Sequence, residues 1–305
     1  MGIIHRAKMI DSVLAPWKRE NAHGRVMGVY RKCFNILTDE GRIVGVFTDI
    51  DGLMPLGIIT DTDPKQEFSR SSIQSGDEVF VSGGILSVPC GGFECVLTDA
   101  VTRELRRCIA SGTEKKTLEE QSRVFSRLLG EYGRKNGEGA HFDQWRDFLF
   151  RGVEPPRSLK ILSALAELYS AAASGDPGKT ELCFNKTVGA GIGLTPSADD
   201  VICGMADAMY TFGGKKGEIF LSALGEYVKK QGRERTTLIS AQQLEQSAEG
   251  VMSDTVFALL CAVARNAPEE LLKRELCRAL DHGSSSGTEL CMGILAGCCL
   301  ANTVC

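Results

Sequence analysis

Between Arg25 and about Thr98, apolar residues recur in short alternating runs, and each run is closed by turn-forming residues. Val44 and Val46, the Ile58-Ile59 pair, Val79-Phe80-Val81 and Ile85-Leu86-Ser87-Val88 are the clearest of these runs. The turns between them read Asp39-Glu40-Gly41, Asp49-Ile50-Asp51-Gly52, Ser75-Gly76-Asp77 and Ser82-Gly83-Gly84. A period of two with such punctuation predicts strands, so this part reads as a sheet or small barrel. Ser82-Gly83-Gly84 supplies the positive φ that a tight hairpin needs, pairing the runs on either side.

After about Asp99 the period becomes helical. Leu118, Phe125, Leu128, Leu129 and Tyr132 share a face of a segment beginning at Thr113; Phe142, Trp145 and Leu149 mark a second helix. Pro155-Pro156 precedes a third, carried by Leu159, Leu162, Leu165, Ala166 and Tyr169 and ended by Gly175-Asp176-Pro177-Gly178. From Pro196 onward the pattern predicts about five or six more helices, broken at Gly213-Gly214, Gly232, Gly250, Ala267-Pro268 and His282-Gly283. Strands followed by helices, without alternation, imply an α+β fold: a mainly β N-terminal domain over 1–98 and an α-helical domain over 99–305.

Composition narrows the function classes. The chain has 305 residues, 43% of them hydrophobic and 24% charged, with a net charge of -4 from 35 basic and 39 acidic residues. No basic tract is present to neutralise a phosphate backbone, which argues against nucleic-acid binding. The N-terminus lacks the apolar stretch of a secretory signal, and Leu290 to Cys305 is shorter than the roughly 20 residues that span a bilayer. That final run reads as a buried helix, and the chain as cytoplasmic. The 12 cysteines are scattered, without a Cys-x-x-Cys pair, and there are only four histidines. Reduced thiols are therefore expected, with Cys203, Cys261, Cys277, Cys291 and Cys298 filling apolar helix faces.

The most unusual stretch is Gly189-Ala190-Gly191-Ile192-Gly193-Leu194-Thr195-Pro196-Ser197-Ala198-Asp199-Asp200, which runs into the apolar helix pattern Val201, Ile202, Met205, Ala208 and Met209. Thr195 suits the N-cap and Pro196 the first helical position, while Asp199 and Asp200 complement the dipole. Capping alone accounts for those features. A cap does not need Gly189, Gly191 and Gly193, however, which permit left-handed geometry or close approach of a ligand to exposed amides. The lack of a following lysine, or of a strand–turn–helix unit with a distant acid, sets this loop apart from nucleotide-binding motifs. Asp199 and Asp200 lie about 100° apart on a helix, so one of them is expected to face the loop. No cofactor is called for, and Mg²⁺ is the cation the acidic pair could take.

A second junction, Gly283-Ser284-Ser285-Ser286-Gly287-Thr288-Glu289, repeats the pattern ahead of the last apolar run. It reads equally as an anion-facing helix start or as a serine-rich turn. Between the two lies Arg233-Glu234-Arg235-Thr236-Thr237-Leu238-Ile239-Ser240, whose guanidinium groups could hold a carboxylate or phosphate.

Gly193-Leu194-Thr195-Pro196-Ser197-Ala198-Asp199-Asp200, with Gly204 after it, resembles the AllH-like family, whose hallmark is a Gly-Leu-Thr-Pro-Ser-Gly-Asp-Asp segment opening a helix. Thr236, Thr237, Ser240, Leu244, Ala248 and Gly250 follow in the family's order, then Ser286-Gly287-Thr288-Glu289 and Gly293. Asn35 and Pro55-Leu56-Gly57 agree more loosely. Ala198 stands where the family usually has glycine, and Glu289 where aspartate is commoner. The resemblance implies a subunit of an oxamate carbamoyltransferase, acting in allantoin and purine catabolism, that converts oxalurate and phosphate to oxamate and carbamoyl phosphate beside AllF-like and AllG-like subunits. Together with the residue reading, it makes Asp199, Asp200 and Arg235 the expected catalytic residues. Gly191, Gly193, Leu194, Thr195, Ser197, Thr236, Ser240, Ser286, Gly287 and Thr288 are the expected substrate contacts. The competing readings are a non-catalytic scaffold that docks a partner subunit through the loop, and a metal-dependent hydrolase built on the acidic pair.

Overall fold

The computed structural model describes residues 4–107 and 114–302, which fall into two compact units divided between Leu105 and Arg106. Among the described residues the first unit contains nine strands: β1 (Ile4–Asp11), β2 (Ala22–Val29), β3 (Cys33–Thr38), β4 (Ile43–Phe47), β5 (Gly57–Thr60), β6 (Glu78–Ser82), β7 (Ile85–Val88), β8 (Phe93–Val96) and β9 (Val101–Arg103). Their order, β5-β4-β3-β2-β6-β7-β8-β1, closes on itself through an antiparallel β1–β5 pairing, with β9 added alongside β1. The result is an eight-stranded barrel, the architecture that removes exposed sheet edges. β4–β5 and β8–β1 are parallel, and the other barrel neighbours are antiparallel.

Alternation places one side chain in two inside the barrel. On β6, Val79 and Val81 are buried while Phe80 faces out. The β6–β7 hairpin forms as the sequence predicts, with Ser82 opposite Ile85 and both Gly83 and Gly84 at positive φ. The strand region nevertheless starts at Ile4 rather than near Arg25. β1 carries a register shift between Ala7 and Met9, and such a bulge interrupts the period of two that would have marked the strand. Asp11 ends β1 and is buried, accepting from the amides of Val13 (3.2 Å) and Leu56 (2.7 Å). The second bond holds Leu56 in its left-handed conformation, φ 51°, at the entrance to β5.

The second unit is helical: α1 (Lys115–Tyr132), α2 (Phe142–Arg151), α3 (Lys160–Ser174), α4 (Pro177–Thr187), α5 (Ser197–Phe212), α6 (Gly214–Tyr227), α7 (Arg233–Arg235), α8 (Leu238–Ala248), α9 (Asp254–Ala264), α10 (Glu269–Leu280) and α11 (Ser286–Asn302). The start expected at Thr113 lies outside the described residues. α4 was not anticipated, although Asp176 and Pro177 announce it: the Asp176 carboxylate accepts from the amides of Gly178 and Lys179. Gly232 does not break the chain as expected. It ends a π-helical stretch, Val228–Gly232, that runs directly into α7, and the interruption comes at the extended residue Thr236.

α5 and α11 form the centre of this unit. Ser197 through Met209 are all buried, as are twelve residues of α11, and helices apolar around their whole circumference belong in a core. Three glycines let the two backbones meet. A side chain at Gly204 would strike the Leu290 carbonyl, one at Gly293 the Val201 carbonyl, and one at Gly297 the Ala208 methyl. Gly293 sits between Val201 and Met205, and Gly297 between Met205 and Ala208, while Thr195 and Asp200 meet Ser286 at one end, so α5 and α11 run parallel with their N-termini side by side. Trp145 of α2 is fully buried against them and donates its Nε1–H to the Met292 carbonyl at 3.1 Å. Among the described residues no helix is long and apolar enough to cross a membrane.

Cys203, Cys291 and Cys298 are buried, as expected of core-filling thiols, and burial raises all three well above the usual thiol range. Cys261 is only partly covered and Cys277 is exposed, because it faces away from the apolar side of α10 defined by Leu272, Leu276 and Ala279.

Candidate functional site

The glycine-rich loop arches over the start of α5. Gly189, Gly191 and Gly193 all have positive φ, at 81°, 126° and 107°. Gly189 lies against the Arg235 carbonyl, and a Cβ on Gly191 would come within 2.5 Å of the Ser197 nitrogen, so neither place admits a side chain. Among the described residues, none of the amides from Gly191 to Thr195 donates a hydrogen bond. The Ser197 amide, first of the helix, is likewise without an acceptor, while Ala198 donates to the Ala190 carbonyl at 3.0 Å.

The helix cap differs from the sequence expectation. Pro196, not Thr195, occupies the N-cap position, with φ -56° and ψ 140° and no capping side chain. Thr195 is thereby left free for tertiary contacts: its hydroxyl donates to Asp200 Oδ2 at 3.1 Å and lies 3.0 Å from the Ser286 hydroxyl at the start of α11. Ser286 also hydrogen-bonds Asp200, so the three side chains form a closed cluster at the joined helix ends.

Both aspartates touch the loop, one at each end, where only one was expected to. Asp199 Oδ1 accepts from the Gly189 amide at 2.8 Å, and its Oδ2 accepts from Thr236 (2.5 Å) and Ser240 (2.6 Å). This carboxylate ties the loop's beginning to the start of α8, which Thr237 caps by accepting from the Ser240 amide. Burial raises Asp199 above the usual carboxylate range, against the lowering effect of its three donors. Asp200 is pushed up to about 7, chiefly by burial, with the nearby Glu289 charge adding to the rise and the Ser286 and Thr195 hydroxyls opposing it. Near neutral pH such a carboxyl exchanges protons readily.

Arg235 stands apart from this cluster. Its guanidinium donates to the Asn185 carbonyl at the end of α4 and bonds to Tyr227, so that it holds the α4 terminus. Only its backbone meets the loop, at Gly189. Leu194 contributes a carbonyl that accepts from Thr237 at 2.6 Å, while its side chain and that of Ile192 project outward, 49% and 91% exposed. Ser197 is buried at the first turn of α5. At the second junction Gly287 packs against the carbonyls of Ala279 and Leu280, and the buried Thr288 hydroxyl accepts from the Arg134 amide at 2.9 Å. Arg134 and Asn136 also donate to the Ser284 carbonyl, bracing this turn.

Two buried acids escaped the sequence reading as site candidates. Glu289 follows Ser286 by three positions, the spacing of a capping box, which was the available signal. Its Oε1 accepts from the Glu138 amide at 3.0 Å, and its Oε2 is buried without a partner. Asp207, two turns along α5 from Asp200, is pushed up to about 8 by burial and bonds Ser247, with Oδ1 unpartnered. Its flanks are apolar, and nothing in the sequence separates it from a surface acid. No group of three His, Cys, Asp or Glu among the described residues is arranged to hold a metal ion.

A closed barrel followed by a helical unit, with open amides and a shared hydroxyl–carboxyl cluster at two parallel helix starts, defines an α+β protein whose candidate site lies at the α5–α11 end. Residues 187–298 match the family described as oxamate carbamoyltransferase subunit AllH, and residues 6–103 match the AllH family N-terminal domain. The chain belongs to the AllH family. No solved structure matches it.

Proposed function

We propose that this chain is the subunit of an oxamate carbamoyltransferase-type enzyme that holds the small anionic reactants at the start of α5. The observation that carries the reading is the run of undonated amides from Gly191 to Thr195, set at the positive end of a long buried helix beside the Thr195 and Ser286 hydroxyls. In the reaction a phosphate oxygen attacks the carbamoyl carbon of oxalurate, the bond to the oxamate nitrogen breaks, and that nitrogen takes up a proton. Negative charge gathers on the carbamoyl oxygen, where fixed amide donors stabilise it most effectively. Asp200, hydrogen-bonded to both hydroxyls and titrating near neutrality, supplies or receives the proton at the leaving nitrogen. Asp199 keeps the loop in place, and AllF-like and AllG-like subunits complete the assembly.

Thermal unfolding with phosphate, oxamate and carbamoyl phosphate, with and without Mg²⁺, tests this reading. Ligand at a hundredfold excess over Kd adds about 2.7 kcal/mol of stability. The expected result is such a shift, reduced by half or more in Gly191→Ala. Absence of any shift, both for the chain alone and in its assembly, refutes it.

A second reading, a scaffold docked through the loop, is favoured by the exposed Ile192 and Leu194. Full activity of a Thr195→Ala variant in an assembly that Ile192→Asp disrupts would establish it.

A further inference from the structure

Glu289 lies one helical turn along α11 from Ser286, on the same face and at the distance of roughly 5–6 Å that separates such neighbours. Its side chain is 1% exposed. One oxygen is engaged by the Glu138 amide and the other has no donor, an arrangement that is costly in a protein interior. The surrounding chain is fitted to this carboxylate. Gly137, at φ 54°, sits so close that a side chain there would strike Oε1, and Gly139 is pressed against Thr288. Asp200 is near enough that the charge of Glu289 acts on it.

The two sides of the site are therefore unsatisfied in opposite senses. The loop offers N–H groups without acceptors, and the first turn of α11 holds a buried carboxylate oxygen without a donor. A ligand that completes both must carry anionic oxygens at one end and N–H groups at the other. Charge fixes its direction: a phosphate is repelled by Asp200 and Glu289 and settles on the loop amides, which leaves the N–H end pointing inward. Thr195, whose hydroxyl bonds to both Asp200 and Ser286, ties this end of the loop to the carboxyls.

We propose that Glu289 Oε2 accepts an N–H of the carbamoyl group and so distinguishes carbamoyl ligands from acyl ligands of the same shape. This rests on the anion-binding reading above and adds a specificity residue to it. Sites built to hydrogen-bond a substrate N–H reject the analogue lacking it strongly, because the buried acceptor is then stranded.

The test is calorimetric titration of the full chain, in its assembly, with carbamoyl phosphate, acetyl phosphate (in which a methyl group replaces the NH₂) and inorganic phosphate. The wild-type protein is expected to bind carbamoyl phosphate at least tenfold more tightly than acetyl phosphate. In Glu289→Gln that ratio should fall to about threefold or less, with acetyl phosphate affinity unchanged. Equal wild-type affinities, or a ratio that survives in Glu289→Gln, overturn the proposal and leave the anion site standing. Failure of all three ligands to bind removes both. The wild-type comparison decides the matter even if the variant does not fold.

Discussion

Two loop-to-helix junctions of similar composition meet at one end of the helical unit, and they treat their backbone amides in opposite ways. Before α11, Gly287 donates to the His282 carbonyl, and Thr288 and Glu289 both donate to Ser285, so the turn closes on itself. Before α5, positive φ at Gly191 and Gly193 carries the chain outward, and the amides from Gly191 to Thr195 find no acceptor. Glycines, hydroxyls and an acid in the first turn are thus compatible with either a sealed helix start or an open one. What separates them is whether the preceding residues curl back far enough to offer their own carbonyls.

That contrast can be broken most forcefully at the helix pair beneath it. Gly293→Ala drives a methyl group into the Val201 carbonyl, so it should cost about 3 kcal/mol or more and lower the thermal midpoint accordingly. Asp199→Ala strands the Gly189 amide and the Thr236 and Ser240 hydroxyls; a loss of about 2–3 kcal/mol in denaturant unfolding is expected, with faster proteolysis of the loop. Asp207→Asn should act in the other direction. The Asp207 carboxyl is raised from about 3.8 to about 8, so wild-type stability is complete below pH 4 and declines as pH rises through 8. The asparagine variant should be more stable by about 2 kcal/mol at pH 8, with the difference closing towards pH 4. Gly191→Ala, which places a methyl group over the Ser197 amide, should weaken phosphate binding at least tenfold, or about 1.4 kcal/mol. The smallest effect is expected from Arg235→Met, since that guanidinium is engaged at Asn185: phosphate affinity should stay within about twofold, and a tenfold loss would show that charge, not amide geometry, holds the anion.

Where periodicity was strong, the elements could be read directly. The β6–β7 hairpin followed from its glycines, and α1, α2 and α3 from their apolar faces, because local pattern and tertiary burial agree there. β1 was hidden by its bulge, and α4 was overlooked despite its Asp-Pro cap. Within the candidate site, Thr195, Asp200 and Ser286 were all singled out from sequence, yet their bonding to one another was not. Thr195 looked like a cap because its neighbours suit a helix start, and only the three-dimensional arrival of α11 gives its hydroxyl a different partner. Arg235 is the converse case: chemistry made it attractive, while the nearby end of α4 claims its guanidinium. A sequence shows which groups can bond, but distant segments decide which of them remain available.

The closure of the barrel also bears on how quickly this chain can reach its native state. β1 finds its partners at β5, β8 and β9, with Ala7 opposite Thr60, Arg6 opposite Val96 and Asp11 opposite Arg103. Its pairing is almost wholly non-local, and such contacts form late because the intervening chain must first be gathered. Until β5, and after it β8 and β9, have emerged and folded back, β1 lacks its full set of partners. The first unit should therefore fold slowly compared with the hairpins inside it, and during that interval Ile4–Asp11 is the segment most open to mispairing with another copy of the chain.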